Sequence, residues 1–117
     1  MKQHDRGLIA LAALSGAIAV AAGAFGAHGA AGQAADWLKT GAHYQLIHCV
    51  AALAVRDCPG GKRAAGLFLG GGALFAATLY AMALGLPHWL GAITPIGGGA
   101  LIMGWISLAF AARRRPG

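Results

Sequence analysis

Four apolar stretches separated by short polar joints set the pattern of the chain. The first, GLIALAALSGAIAVAAGAFGA at residues 7–27, carries no charge over 21 residues. A helix rising about 1.5 Å per residue crosses the ~30 Å of bilayer hydrocarbon in roughly that length. Its basic start, apolar middle and AVA-A step also imitate a secretory signal peptide, but the apolar run continues past that step, so retention as a first span is expected. The second, DWLKTGAHYQLIHCVAALAV at residues 36–55, is the most polar, with Trp37 suited to one interface and Arg56 closing the other end. The third, residues 64–85, begins behind Lys62 and Arg63 and stops at Leu86-Pro87. The fourth, residues 89–112, is less regular. Thr94 suits an N-cap, with Pro95 at the first helical position, so WLGAI is expected at the interface, and a helix from Pro95 to Ala112 would still be ~27 Å long. The pattern predicts an all-α membrane fold in one domain over residues 1–117, a four-transmembrane-helix bundle with short loops.

Composition agrees. Of the 117 residues 58% are hydrophobic and 10% charged, with a mean hydropathy of +0.65, whereas soluble domains carry roughly a quarter charged residues. The acids are Asp5, Asp36 and Asp57, each near the end of an apolar stretch, so no carboxylate is expected at bilayer depth. A formal charge of +6 would also suit a phosphate backbone. The cations flank apolar runs instead of forming a basic domain, and nucleic-acid binding is set aside. Lys2, Arg6, Arg56, Lys62, Arg63 and Arg113 to Arg115 fall on one side of the four-span topology, and Lys39 alone on the other. The positive-inside rule then predicts an inner-membrane protein with both termini cytoplasmic and the 28–36 and 86–94 loops outside. It also speaks against dual topology.

Glycine and alanine serve helix packing in lipid, where small residues four apart let backbones approach. Ala12, Gly16, Ala19, Gly23 and Gly26 form one such stripe, and Gly66 and Gly70 another. The alternative use of glycine, an unwound ion-binding segment at residues 70–72 or 97–99, is kept beside it. Cys49 and Cys58 have no metal-binding spacing and are not expected to pair.

Several stretches resemble one family: GAFGAH at 23–28, W-x-x-T-G-x-x-Y-Q-x-x-H from Trp37 to His48, L-Y-x-x-A-L at 79–84, and T-P-x-G-G followed by G-W at 94–105. In order and over nearly the whole chain they are similar to the small membrane proteins grouped as domain of unknown function 423, which include the transmembrane protein 256-like proteins. The resemblance implies a four-helix integral membrane protein and supplies no reaction. Relatives often carry Phe-Ser-Gly-Ser where this chain has Phe75, Ala76, Ala77 and Thr78, which weakens any polar site built on those serines here.

Two candidate sites stand out. His48 is about seven positions from the cytoplasmic end of its span, near mid-bilayer, where an ionisable side chain is a functional hypothesis by default. Gly41, Tyr44, Gln45, His48 and Ala52 share a helical face, and equal counting in the other spans reaches Ser15, Gly71 and Trp105. The candidate polar site is therefore Ser15, Tyr44, Gln45, His48 and Trp105, with a neutral His48 expected to bond Ser15. It would act as a proton relay, as a pocket for a small polar ligand, or as a structural pin fixing helix register; the lack of a membrane carboxylate favours the pin. The outer-face candidate is His28, Trp37, His43 and Tyr80, with His28 expected to cap the first helix or hold the following loop. His43 and His48 lie about 140° apart and cannot share a metal, and no metal or cofactor is expected. His88 and Trp89 suit an interfacial anchor, and the Arg113–Arg115 tail a contact with anionic lipid.

The leading functional expectation is a non-catalytic packing or interaction module, self-associating or accessory to a larger complex. The rival is a small transporter, channel or lipid-binding protein using the Tyr44, Gln45 and His48 face. Proton-coupled drug antiporters of this size depend on a membrane carboxylate, which is missing. An enzyme would need an orienting acid beside Ser15 and His48, and none is present.

Overall fold

The computed structural model describes residues 3–113, and these form helices joined by short turns, with no strand among them. Helix α1 runs Gln3–His28, α2 Gly32–Val55 and α3 Gly61–Ala83; a 3-10 turn over His88–Ala92 leads into α4, Thr94–Arg113. The stretch expected as one span at 89–112 is thus broken after WLGA, as the Thr94-Pro95 pair implied. Thr94 opens α4, but its hydroxyl is spent on neighbouring helices rather than on the cap.

Three stretches, Asp5–His28, Gly61–Ala83 and His88–Arg113, are long and apolar enough to cross a membrane. Helix α2 is long enough but more polar. Its polarity faces inward: Gln45, His48 and Cys49 are buried, while Leu46, Ile47 and Val50 are exposed. The outward surface at this level is largely apolar, with His43 and Tyr44 the exposed exceptions, and α2 completes a four-helix membrane bundle.

The helices run up and down in sequence order, α2 and α3 in the middle, α1 packed on α2 and α4 on α3. The Asp5–Lys62 ion pair, 2.5 Å, joins the start of α1 to the start of α3. A side chain at Gly60 would meet Ala111, so the end of α4 lies at that same end. At the other end Trp37 meets the His88 ring edge-on at 5.1 Å. Arg6, Arg56, Lys62, Arg63 and Arg113 therefore gather at one end and Lys39 sits at the other. Lys2, Arg114 and Arg115, counted with the first group in the sequence, lie outside the described residues.

Packing follows the small residues. On α1 the buried positions recur every seven residues at Ala12, Ala19 and Gly26. Between them Gly16 and Gly23 let Cys49 and Ala42 of α2 approach; a Cβ on either would sit 3.3–3.4 Å from those side chains. The α3–α4 contact is closer still: a Cβ on Gly97 would lie 2.5 Å from the backbone nitrogen of Phe75. Gly66 and Gly70 depart from expectation. A Cβ on either meets nothing within 4 Å, so this stripe packs against no helix among the described residues. Residues 70–72 and 97–99 lie inside unbroken helices, which removes the unwound ion-binding segment. The turn from α2 to α3 is tight, with Gly60 at φ 71°, a left-handed conformation that glycine adopts without strain. Cys49, in the α1–α2 contact, and the exposed Cys58 are unbridged.

Candidate functional site

Helix α2 carries Gln45 and His48 three residues apart, so they share a face one turn apart near the middle of the bundle, each only 5% exposed. Buried amides and imidazoles need partners, and the partners come from every other helix. The Gln45 Nε2 donates to Ser15 Oγ of α1 at 3.0 Å. Its Oε1 accepts from the Tyr80 hydroxyl of α3 at 2.7 Å. Trp105 of α4 donates its indole N–H to His48 Nε2 at 3.0 Å. Two neighbouring side chains thus tie α2 to α1, α3 and α4.

The His48 ring is fully committed. An indole nitrogen only donates, so Nε2 must carry a lone pair; a backbone carbonyl only accepts, so Nδ1 must carry the proton given to the Tyr44 carbonyl at 2.6 Å. This is the neutral Nδ1–H tautomer. A second proton on Nε2 would point an N–H at an N–H and break the link to α4.

Aromatic rings enclose the imidazole. Phe68 lies at 5.4 Å and Trp105 at 5.8 Å between centroids, the two of them 4.5 Å apart, and Tyr44 stacks at 6.3 Å with rings within 14° of parallel. Phe68 is fully buried amid Ala51, Ala52, Ala64, Ala65 and Leu101, and it is what the small residues of α2 and α3 close upon.

The inner candidate set comes together with its pairings changed. Ser15 bonds Gln45 and not His48; Trp105 takes the place expected for Ser15. Tyr44 contributes its carbonyl and ring face, while its phenol makes no hydrogen bond among the described residues and the side chain is 43% exposed. The outer-face set does not assemble. Tyr80 belongs to the inner network, its ring crossing Gly41 so closely that a Cβ there would stand 2.7 Å from Cε1. Trp37 meets His88, His43 meets the ring of Tyr44, and His28 is exposed with no side-chain hydrogen bond among the described residues. His28 therefore neither caps α1 nor holds the loop. No group of three or more His, Cys, Asp or Glu side chains that could hold a metal occurs among the described residues.

One link was missed. Thr78, buried on α3, donates to the Phe75 carbonyl or shares its proton with Thr94 Oγ1 at 2.6 Å, joining α3 to the start of α4. The signal was partial: Thr78 is the sole hydroxyl-bearing residue of α3 apart from Tyr80, and a hydroxyl inside a membrane helix bonds either a carbonyl of its own helix or a polar group across an interface; Thr78 reaches both.

The DUF423 family, described as a protein of unknown function, matches residues 22–98. This chain belongs to that family. A UPF0382 membrane protein of Haemophilus influenzae is 41% identical over 111 residues, covering 87% of this chain and 90% of its own. No solved structure matches. Within this DUF423 protein the matched region holds Gln45, His48, Tyr80, Thr78 and Thr94, while Ser15 and Trp105 come from outside it, on the two flanking helices.

Proposed function

We propose that this is a non-catalytic multi-pass inner-membrane protein, a packing and interaction module whose polar centre holds helix register and moves neither protons nor solutes. It works by association, with copies of itself or as an accessory of a larger membrane complex. The observation that carries this reading is the state of His48: both ring nitrogens are bonded to groups that fix it as neutral. A proton relay needs a group that gains and loses its proton without dismantling the helix packing. Gln45 is equally engaged, and its two bonds supply the α1 and α3 contacts. Serine chemistry lacks support for the same reason, because His48 faces Trp105 and its other nitrogen is held by a carbonyl, leaving Ser15 with no base.

The orientation proposed, both termini cytoplasmic, rests on the gathering of cations at the end where α1 begins and α4 finishes. The deciding experiment is His48→Ala in detergent and in liposomes. Loss of thermal stability is expected, with ion and solute permeability equal to that of protein-free liposomes before and after the substitution. Unchanged stability together with a flux that disappears in the variant would sink the structural reading.

A further inference from the structure

Helices α1 and α3 touch only sparingly, because α2 fills the space behind them, and the gap between them is an open groove. Its outer part, about 620 Å³, is lined by Gly7, Leu8, Leu11, Lys62, Gly66 and Gly70, with Leu69 beside them. It continues inward past Leu14 and Ile18 to Ser15 and Gln45, the two parts sharing Leu11, Leu69 and Gly70. Gly66 and Gly70 line it, the stripe that no helix among the described residues covers. From Gly7 to Ile18 it is about 17 Å long, close to half of the ~30 Å hydrocarbon thickness. It begins at the cationic end of the bundle and stops near mid-bilayer, so its length is that of one leaflet.

We propose that this groove binds an anionic phospholipid of the leaflet at the Lys62 end, one acyl chain lying over Gly66 and Gly70 and the headgroup phosphate meeting Lys62. Lys62 is paired with Asp5 at 2.5 Å and lies 3.8 Å from Asp57, yet its side chain stays 43% exposed. Arg6 and Arg63, adjacent in sequence to the lining residues Gly7 and Lys62, are exposed and make no ion pair among the described residues. The mouth therefore keeps an excess of positive charge that a phosphate neutralises. A second copy is a poorer occupant. Copies inserted in the same orientation and related by a two-fold axis through the groove would set Arg6, Lys62 and Arg63 against their own equivalents.

The test uses the full-length protein in vesicles of phosphatidylglycerol and phosphatidylethanolamine, with trace phosphatidylglycerol carrying a mid-chain diazirine. Cross-links are expected at residues 11–18 and 69–73. They are expected to vanish in Gly66→Leu and Gly70→Leu, where an added Cβ meets nothing within 4 Å and thermal stability should hold or rise slightly through helix propensity. Lys62→Gln should lower the preference for phosphatidylglycerol over phosphatidylethanolamine about fivefold. Labelling spread evenly over the outward faces and untouched by these variants would overturn the proposal. So would equal labelling by a phosphatidylethanolamine probe, or a groove variant that loses its cross-links as a dimer falls to monomer, which would assign the groove to a second copy.

Discussion

Each ring nitrogen of His48 already has a hydrogen-bond partner, the Tyr44 carbonyl on one side and the Trp105 indole on the other. Hydrogen bonds between membrane helices contribute about 0.6 kcal/mol on average and up to ~1.7. Trp105→Phe is therefore expected to cost about 0.5–1.5 kcal/mol in detergent unfolding, and His48→Ala about 1–3 because a cavity beside Phe68 is added. The two are coupled: in the His48→Ala background Trp105→Phe should cost close to nothing beyond its packing change, which a double-mutant cycle measures. Additive losses would mean that the indole N–H is satisfied elsewhere. Tyr80→Phe leaves the Gln45 carbonyl oxygen without its donor and should lower the midpoint of thermal unfolding, with the Ser15 bond intact. Ser15, His48 and Trp105 were legible from depth, since they fall at equal counts from one membrane face, and Gln45 from the helical face it shares with His48; Tyr80 was not. Nor were their pairings. Depth ranks candidates along the membrane normal and says nothing of which helix faces which around it, so Tyr80 was set at the outer surface although it reaches Gln45 over Gly41.

Between elements the backbone separation, not side-chain volume, sets the fit. Gly97 and Gly71 bring α4 onto α3, where a Cβ on Gly97 would lie 2.5 Å from Phe75 nitrogen and 2.9 Å from the Gly71 carbonyl oxygen. Backbone atoms cannot rotate away, so Gly97→Ala should force the helices apart and lower the midpoint of thermal unfolding well below that of the wild type. Gly99→Ala, two residues on and opening onto nothing within 4 Å, should be neutral or stabilising by up to about 1 kcal/mol through helix propensity. Equal effects at the two positions would contradict the α3–α4 contact described above. The α1 stripe was readable in the sequence because Ala12, Gly16, Ala19, Gly23 and Gly26 meet a helix adjacent in the chain. The Gly66–Gly70 stripe has the same spacing and faces an opening instead, and periodicity identifies a small-residue face without identifying what lies across from it. The four helices themselves were legible, to within a few residues at most boundaries, from apolar run length and from the Thr94-Pro95 step.

For the molecule as a whole, the ends of α1 and α4 described here lie together, beside the α2–α3 turn that holds Cys58. A maleimide that cannot cross membranes should label Cys58 in inverted vesicles and not in intact cells, while Cys49, buried in the α1–α2 contact, stays unmodified in both. Labelling of Cys58 from outside would reverse the proposed orientation. The inward polarity of α2 also bears on how the protein is made. A segment carrying Gln45, His48 and Lys39 is expected to partition poorly from the translocon into lipid on its own, because the Gln45 carbonyl oxygen and His48 Nε2 gain their donors only when α3 and α4 have arrived. Grafted alone into a reporter of membrane insertion, α2 is expected to slip through; followed by its turn and α3, it should stay. Biogenesis would then proceed by a delayed, paired release of hairpins, with the polar strut committed last.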